Sequence, residues 1–329
     1  MIVSIPQQLR QHLRQQGAGL WLYRNFHSRL HVFRDFRHFG LMAGTRIRLG
    51  QRSMRRAATQ LSPVKSSPDG LPVVYFTGNK YWYQTLFCAH SLARQHDSAL
   101  NFTIIDDGTL TDRQGENIRS VLPGSHFRSS AEMLRRIEGM LPRAKFPLLH
   151  LTRDRNVIVR KLVDALCCIE KWHLYLDSDM LFFRSPSDFS TWWKNETPIH
   201  MADHIETYIR PLGELQKLSP NKTVIPRLNG GMLGLSPDQI DWRHTEDWLN
   251  YFAPHERGFF AFDQTFASLL LATADANAAD WKRYFILYTR DSRANREAAL
   301  LHYIDRAKYR YFTRDWRHYS ECDLPPDLK

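Results

Sequence analysis

The stretch Trp172–Arg184, reading Trp-His-Leu-Tyr-Leu-Asp-Ser-Asp-Met-Leu-Phe-Phe-Arg, restricts what this chain can fold into more than any other. Apolar residues run into an Asp-x-Asp and apolar residues run out of it. That is how a strand covered on both faces reads when it delivers two carboxylates at its carboxyl end. Side chains alternate along an extended chain, so Asp177 and Asp179 project from one face at roughly 6 to 7 Å spacing and can hold one hard divalent cation between them. An isolated Asp-x-Asp also arises by chance in a chain with 34 acidic residues. Its meaning therefore depends on its surroundings.

Upstream, short apolar strands alternate with helices. Pro72–Gly78 is a β run, followed by a helical stretch from Trp82 to about Gln95. Asn101–Asp106 is a second strand that ends in Asp106-Asp107-Gly108, and Thr111 can cap the next helix. A weaker strand near Ser125–Arg128 and a helix over Arg155–Glu170 lead into the Asp-x-Asp strand. This β-α-β-α-β alternation predicts an α/β fold with a mixed, mostly parallel sheet flanked by helices. Ligands in such sheets bind beyond the carboxyl ends of the strands, where Thr77, Asp106 and Asp177 fall. After Asp179 a short helix closes at Trp192-Trp193, and Pro198–Ala202 is strand-like. Residues 203–227 are polar and irregular, and Leu228–Leu235 is a glycine-broken strand. Helical stretches are expected over 238–252 and 262–272, and Leu300–Asp305 is a last apolar run with Lys308 beyond it.

The chain has 329 residues, 43% of them hydrophobic, which is enough for one large core. No run approaches the length of a membrane span, and residues 1–16 lack the apolar core of a signal peptide, so a cytoplasmic location is expected. Cys88, Cys167, Cys168 and Cys322 form neither a disulfide framework nor a zinc pattern. The charge is concentrated. Residues 1–70 hold twelve Lys and Arg against Asp35 and Asp69, so +10 of the net +11 belongs to them. Helices are expected over 5–16 and 20–39, the second with Leu22, Phe26, Leu30 and Phe33 on one stripe among arginines. Such a basic, aromatic-rich helix suits an anionic lipid surface, with protein peripheral at the cytoplasmic face. It equally suits packing on the main domain with its arginines solvated. Little beyond charge favours nucleic acid. The expected organisation is a basic helical extension over 1–61, a linker over 62–72, a main domain over 73–312 and a tail over 313–329.

The ordered motifs resemble those of nucleotide-sugar-dependent glycosyltransferases of the GT-A fold, a Rossmann-like architecture, and are most similar to glycosyltransferase family 8, the glycogenin and lipopolysaccharide galactosyltransferase group. The resemblance covers roughly residues 72–312. It implies that Thr77, Gly78, Asn79 and Asp106 lie in the donor nucleotide region. Lys161, from a Lys-Leu pair on the helix before the metal motif, reaches the donor. Asp177-Ser178-Asp179 matches the metal motif and Asp203 an aspartate that touches the donor sugar. Asn229-Gly230-Gly231 matches an Asn-x-Gly strand and Asp263-Gln264 an Asp-Gln pair, while His302 and Lys308 match a metal ligand and a diphosphate contact six residues apart. The chain departs from the pattern at Asp305, where the family has glycine, and at Tyr309, where it has proline followed by tryptophan. An acidic side chain beside a diphosphate is repelled unless it turns away.

The chemistry agrees with the resemblance. Charge builds on the departing phosphate of a sugar nucleotide, and a divalent cation disperses it. Two carboxylates and one imidazole tilt such a site toward Mn²⁺ over Mg²⁺. Lys161 and Lys308 add positive charge where the leaving group forms. Taken singly, His302 reads as a core histidine, Lys161 as a solvated helix residue and Asp263 as a helix cap. The resemblance implies a UDP-sugar donor, a glycan or lipid-linked acceptor, and retention of configuration with Gln264 near the anomeric carbon. Inversion would call for a carboxylate base, for which Asp263 is the first candidate. The alternative class is a non-catalytic protein of the same fold that binds membrane or partner through its basic amino terminus. Donor sugar, acceptor and oligomeric state are not readable from the sequence.

Overall fold

The computed structural model describes residues 38–258, 261–290 and 296–322. The helices expected over 5–16 and over nearly all of 20–39 lie outside that range.

Helix α1 (Leu41–Ala58) is the first full element, and it belongs to the body. Ile47, Met54 and Ala58 line its inner face and are buried in the main core together with Leu61. Burial of side chains of this size stabilises by about 1.5–3 kcal/mol each. Gly50 brings the helix against a later segment so closely that a Cβ there would lie 2.0 Å from the Phe312 carbonyl oxygen. The serine- and proline-rich stretch expected as a linker is likewise docked. The Val64 and Ser66 N–H groups donate to Val121 and Pro123, Ser67 donates to Leu100, and the buried Ser66 hydroxyl accepts from Phe102. Composition alone does not separate a free linker from a segment held by scattered backbone hydrogen bonds, because both lack a period.

The alternation of elements then follows. It runs β1 (Leu71–Thr77), α2 (Trp82–Gln95), β2 (Leu100–Asp106), α3 (Asp112–Val121), β3 (His126–Arg128), α4 (Ser130–Met140), α5 (Pro147–Arg155), α6 (Val157–Cys167) and β4 (His173–Leu176). The helix expected over 155–170 is α6, two residues late at its start, and α5 before it is a further helix that the sequence reading did not include. The break is Asn156, whose side chain accepts from the Ile158 and Val159 N–H groups and so starts α6 afresh. Next come β5 (Met180–Phe182), α7 (Asp188–Lys194), β6 (Ile199–Ala202), α8 (Leu212–Leu218) and β7 (Leu228–Leu235). Helix α8 lies inside the stretch expected to be irregular. Its single buried residue, Leu215, is too little to leave a periodic stripe in the sequence. The stretch 238–252 is two short 3₁₀ turns and then α9 (Thr245–Tyr251), followed by α10 (Phe262–Thr273), β8 (Asn277–Ala278), β9 (Tyr284–Leu287) and β10 (Leu300–Tyr303). Helical turns over 305–315 lead to α11 (Arg317–Cys322). The expected tail is therefore partly core: Trp316 and Tyr319 are buried, and Trp316 meets Phe87 of α2 edge-on.

Seven strands form one sheet in the order β3-β2-β1-β4-β7-β6-β8. The first four run parallel, β7 is antiparallel to both β4 and β6, and β8 is parallel to β6. This is the mixed, mostly parallel α/β sheet expected from the alternation. Successive β1 residues feed opposite layers. Val73 and Tyr75 join the core under α1 and α2, and Val74 joins the one under α4, α6 and α10. A second, three-stranded sheet has the order β5-β10-β9. Its antiparallel pairing sets His302 opposite Met180, next to Asp179 in sequence.

Candidate functional site

Asp177 emerges from β4 between two ladders, and its N–H donates to the Gly231 carbonyl of β7 at 2.7 Å. The Asp179 carbonyl accepts from the Tyr303 N–H at 3.0 Å, which ties the motif to β10. Ser178 turns inward between them. Its hydroxyl lies 2.8 Å from that of Thr85, which donates to Thr77 at 2.8 Å, so the Thr77 and Ser178 side chains form a buried chain beneath the site.

Asp177, Asp179 and His302 converge, with one ligand atom from each lying within 4.8 Å of the others. His302 Nε2 is 3.2 Å from Asp179 and 3.9 Å from Asp177. His302 Nδ1 is buried without a hydrogen-bond partner among the described residues. Nε2 is thus the ring nitrogen aimed at the aspartates and the one that would bind a metal between them. Two carboxylate oxygens and one imidazole nitrogen are the donor set of a borderline-hard divalent ion, so these residues fit the implied metal. Gly231 makes the convergence possible, because a Cβ there would sit 2.5 Å from His302 Cε1.

A lysine stands on each aspartate. Lys161 of α6 reaches both Asp177 oxygens at 2.9 and 3.2 Å, and Lys308 is paired with Asp179. Burial alone would raise the Asp179 carboxyl, but Lys308 and His302 outweigh it and hold the group well below the usual carboxylate range. For Lys161, burial works against the ammonium, and Asp177 with Asp263 overcomes it so that the group stays charged. Asp263, at the start of α10, is pushed up to about 6 by burial, with Lys161 pulling the other way. Asp263 Oδ1 and Gln264 Oε1 are buried without partners among the described residues.

Asp203 forms a second cluster. Its carboxylate accepts from the His204 and Ile205 N–H groups, from Asn229 Nδ2 at 3.1 Å and from the Tyr288 hydroxyl. Asn229 Oδ1 in turn accepts from the Gly231 N–H at 3.0 Å, which links this cluster to the metal-type triad. Gly230 faces open space. At the end of β1, a Cβ on Gly78 would meet both Asp107 carboxylate oxygens at 2.2 Å, so glycine is needed there for the Asp107 side chain to fold inward. Asn79 is held by Thr109 and Gln114, and Asp106 accepts from the Gly108 and Leu110 N–H groups, so both shape this loop.

Of the residues singled out from sequence, Asp177, Asp179, His302, Lys161 and Lys308 meet directly. Asp263 is close enough to Lys161 and Asp177 to feel both charges. Sequence reasoning did not find Tyr175, whose hydroxyl donates to Asp177, nor Tyr288 on Asp203. Tyr175 was two residues from Asp177 on the same strand face, a signal that was present. Tyr288 lies too far along the chain to have left one. Tyr81 is 42% exposed at the rim, with Lys308, Asp179 and Lys161 as its charged neighbours.

No protein-family profile matches the chain, and no curated protein is significantly similar to it in sequence. Among solved structures, the fold is similar to that of the galactosyltransferase LgtC, crystallised with donor and acceptor sugar analogs, at TM-score 0.48 and 15% identity over 78% of this chain and 99% of that one. It is also similar to mouse xyloside xylosyltransferase 1 in its apo form, at 0.45 and 13% over 73% and 97% of the two chains. A third is the glycosyltransferase GlyE of Streptococcus pneumoniae TIGR4, at 0.44 and 15% over 76% and 62%. These likenesses concern architecture, and the functional reading rests on the side chains of the site.

Proposed function

We propose that the protein is a metal-dependent glycosyltransferase that moves a hexose from a UDP-sugar to a glycan or lipid-linked acceptor with retention of configuration. The observation that carries this reading is the convergence of Asp177, Asp179 and His302 from distant parts of the chain, with Lys161 and Lys308 beside them. Asp177, Asp179 and His302 would hold Mn²⁺ or Mg²⁺. When bound, such an ion supplies Lewis-acid neutralisation of the diphosphate. Lys161 and Lys308, which stand beside the two aspartates, would offer their ammonium groups to the phosphate oxygens and stabilise charge developing there. Asp203, fixed by Asn229 and Tyr288, presents a preorganised acceptor for a sugar hydroxyl. Gln264 contributes an unpartnered amide oxygen at the same end of the sheet. For transfer on the leaving-group face, the acceptor proton passes to the departing phosphate, so no strong protein base is needed. The two positions that depart from the family pattern are engaged by side chains outside the metal-type triad. The Asp305 carboxylate meets His38, and the Tyr309 hydroxyl accepts from Arg46. That favours the catalytic reading over a non-catalytic one.

The basic amino-terminal residues would hold the enzyme at the cytoplasmic face of a membrane. Among the described residues no helix is long and apolar enough to cross one. The test is hydrolysis of a panel of UDP-sugars with and without Mn²⁺. We expect turnover of at least one sugar that needs the ion and falls by at least about a hundredfold in Asp177→Asn, a loss of nearly 3 kcal/mol of transition-state stabilisation. Turnover that persists unchanged in Asp177→Asn would remove the metal assignment.

A further inference from the structure

Three contacts join α1 and the residues just before it to one later segment, the turn that follows His302 and carries Lys308. His38 Nε2 lies 2.6 Å from Asp305 Oδ1, and Arg46 Nη1 donates to the Tyr309 hydroxyl at 3.2 Å. One turn further along α1, Gly50 rests against the Phe312 backbone, with no room for a Cβ. The neighbour of Phe312, Tyr311, is fully buried, and its hydroxyl reaches the carbonyl of Ser178, between the two aspartates. Arg290 lies over the Tyr309 ring, its guanidinium carbon 3.9 Å from the ring centroid.

Asp305 has a φ of 47°, a left-handed backbone that glycine adopts without strain and aspartate tolerates at a cost. A residue with a side chain in that position gives up backbone comfort, and here it gains a partner on the amino-terminal side. Tyr309, one turn later and in ordinary helical backbone, also gains a partner on the amino-terminal side, Arg46. Both positions where the carboxy-terminal motif departs from the family pattern are thus among those that α1 and its lead-in touch.

We infer that α1 is a positioning element for the site. Through His38–Asp305, Arg46–Tyr309 and Gly50–Phe312 it holds the turn that places His302 and Lys308 on the aspartates. Asp305, Tyr309 and Arg46 are therefore positioning residues. The consequence for donor binding rests on the function proposed above, whereas the consequence for loop order and metal affinity does not. The arrangement also places the basic amino-terminal residues directly upstream of a helix that braces the site, so whatever fixes that segment acts on the brace.

The experiment uses the full chain and the variants Arg46→Ala, Tyr309→Phe, Asp305→Asn and the Arg46→Ala/Tyr309→Phe pair. Tyr309→Phe keeps the ring and its contact with Arg290, and Asp305→Asn keeps a residue that accepts a left-handed backbone. Three readouts are taken: hydrogen exchange of peptides covering 303–312, affinity for Mn²⁺ alone by paramagnetic resonance, and donor KM against kcat in UDP-sugar hydrolysis. We expect faster exchange in 303–312 and Mn²⁺ binding weakened about two- to tenfold, the range of one lost hydrogen bond. The pair of substitutions should be no worse than either alone, and Arg46→Lys should recover part of the loss. Where turnover exists, donor KM should rise more than kcat falls. Unchanged exchange, or faster exchange with unchanged Mn²⁺ affinity, overturns the inference. A wild-type protein that binds Mn²⁺ but hydrolyses no UDP-sugar sinks the proposed function and leaves the positioning role to be decided by the first two readouts. If it binds no Mn²⁺, loop exchange alone decides.

Discussion

His302 reaches the aspartates only because position 231 has no side chain, and that makes Gly231 the most informative single residue to change. A Cβ at 2.5 Å from His302 Cε1 displaces the ring or spreads β7 from β4. Gly231→Ala should lower Mn²⁺ affinity about ten- to a hundredfold, as loss of ligand orientation does elsewhere, with a smaller effect on thermal stability. Competition for Mn²⁺ against a fluorescent chelator measures it. Asp263 is the second informative residue. Its carboxyl, held near 6 when folded against an ordinary value of 3.8, binds a proton more tightly in the native state. Stability from this group is therefore fully present below about pH 4, falls as pH rises toward 6, and stays reduced above it. Asp263→Asn should flatten that fall and raise stability at pH 8 by roughly 1–3 kcal/mol, seen in urea midpoints measured from pH 4 to 8. The acids of the site were legible in the sequence, because two carboxylates inside an apolar strand stand out against their neighbours. The Tyr288–Asp203 contact was not, because 85 residues separate the partners and no local pattern links them.

Among the elements, α6 carries Lys161 and depends on its start. The Asn156 side chain caps its first two free N–H groups and also donates to the Arg257 carbonyl at 2.8 Å, so one residue sets both where α6 begins and how it meets the segment before α10. Asn156→Ala should cost on the order of 1–2 kcal/mol, detectable as a shifted urea midpoint, with a rise in donor KM as Lys161 loses its register. The start of α6 was legible to within two residues, whereas α5 before it was not, because its nine residues carry only a short and broken apolar stripe. The strands were easier. β1, β2 and β4 are short apolar runs bounded by turn residues, and their parallel order follows from the helices between them. β10 could be read as a strand, but its partner could not. An apolar run of four residues does not say which edge it joins.

At the scale of the molecule, the basic amino-terminal stretch divides at the first described residue. Residues 1–37 lie outside the described range, whereas α1 buries Ile47, Met54 and Ala58 in the main core. A deletion of residues 1–37 should leave a folded protein that still binds Mn²⁺ and no longer sediments with anionic vesicles. A deletion of residues 1–60 should lower stability by on the order of 5 kcal/mol or prevent folding, because it strips apolar cover from α2 and the Phe312 segment. Sedimentation and thermal melts of the two truncations separate these outcomes, and vesicle binding that survives both rules out the lipid role. By itself the sequence determined the α/β class, the parallel half of the sheet and the two aspartates at a strand end, since each is written in local period and local contrast. Only the tertiary structure decided that β10 pairs with β5, that Gly231 leaves space for His302, and that α1 clamps the turn carrying Lys308. Those are contacts between residues far apart in the chain, and no local period or contrast in the sequence encodes them.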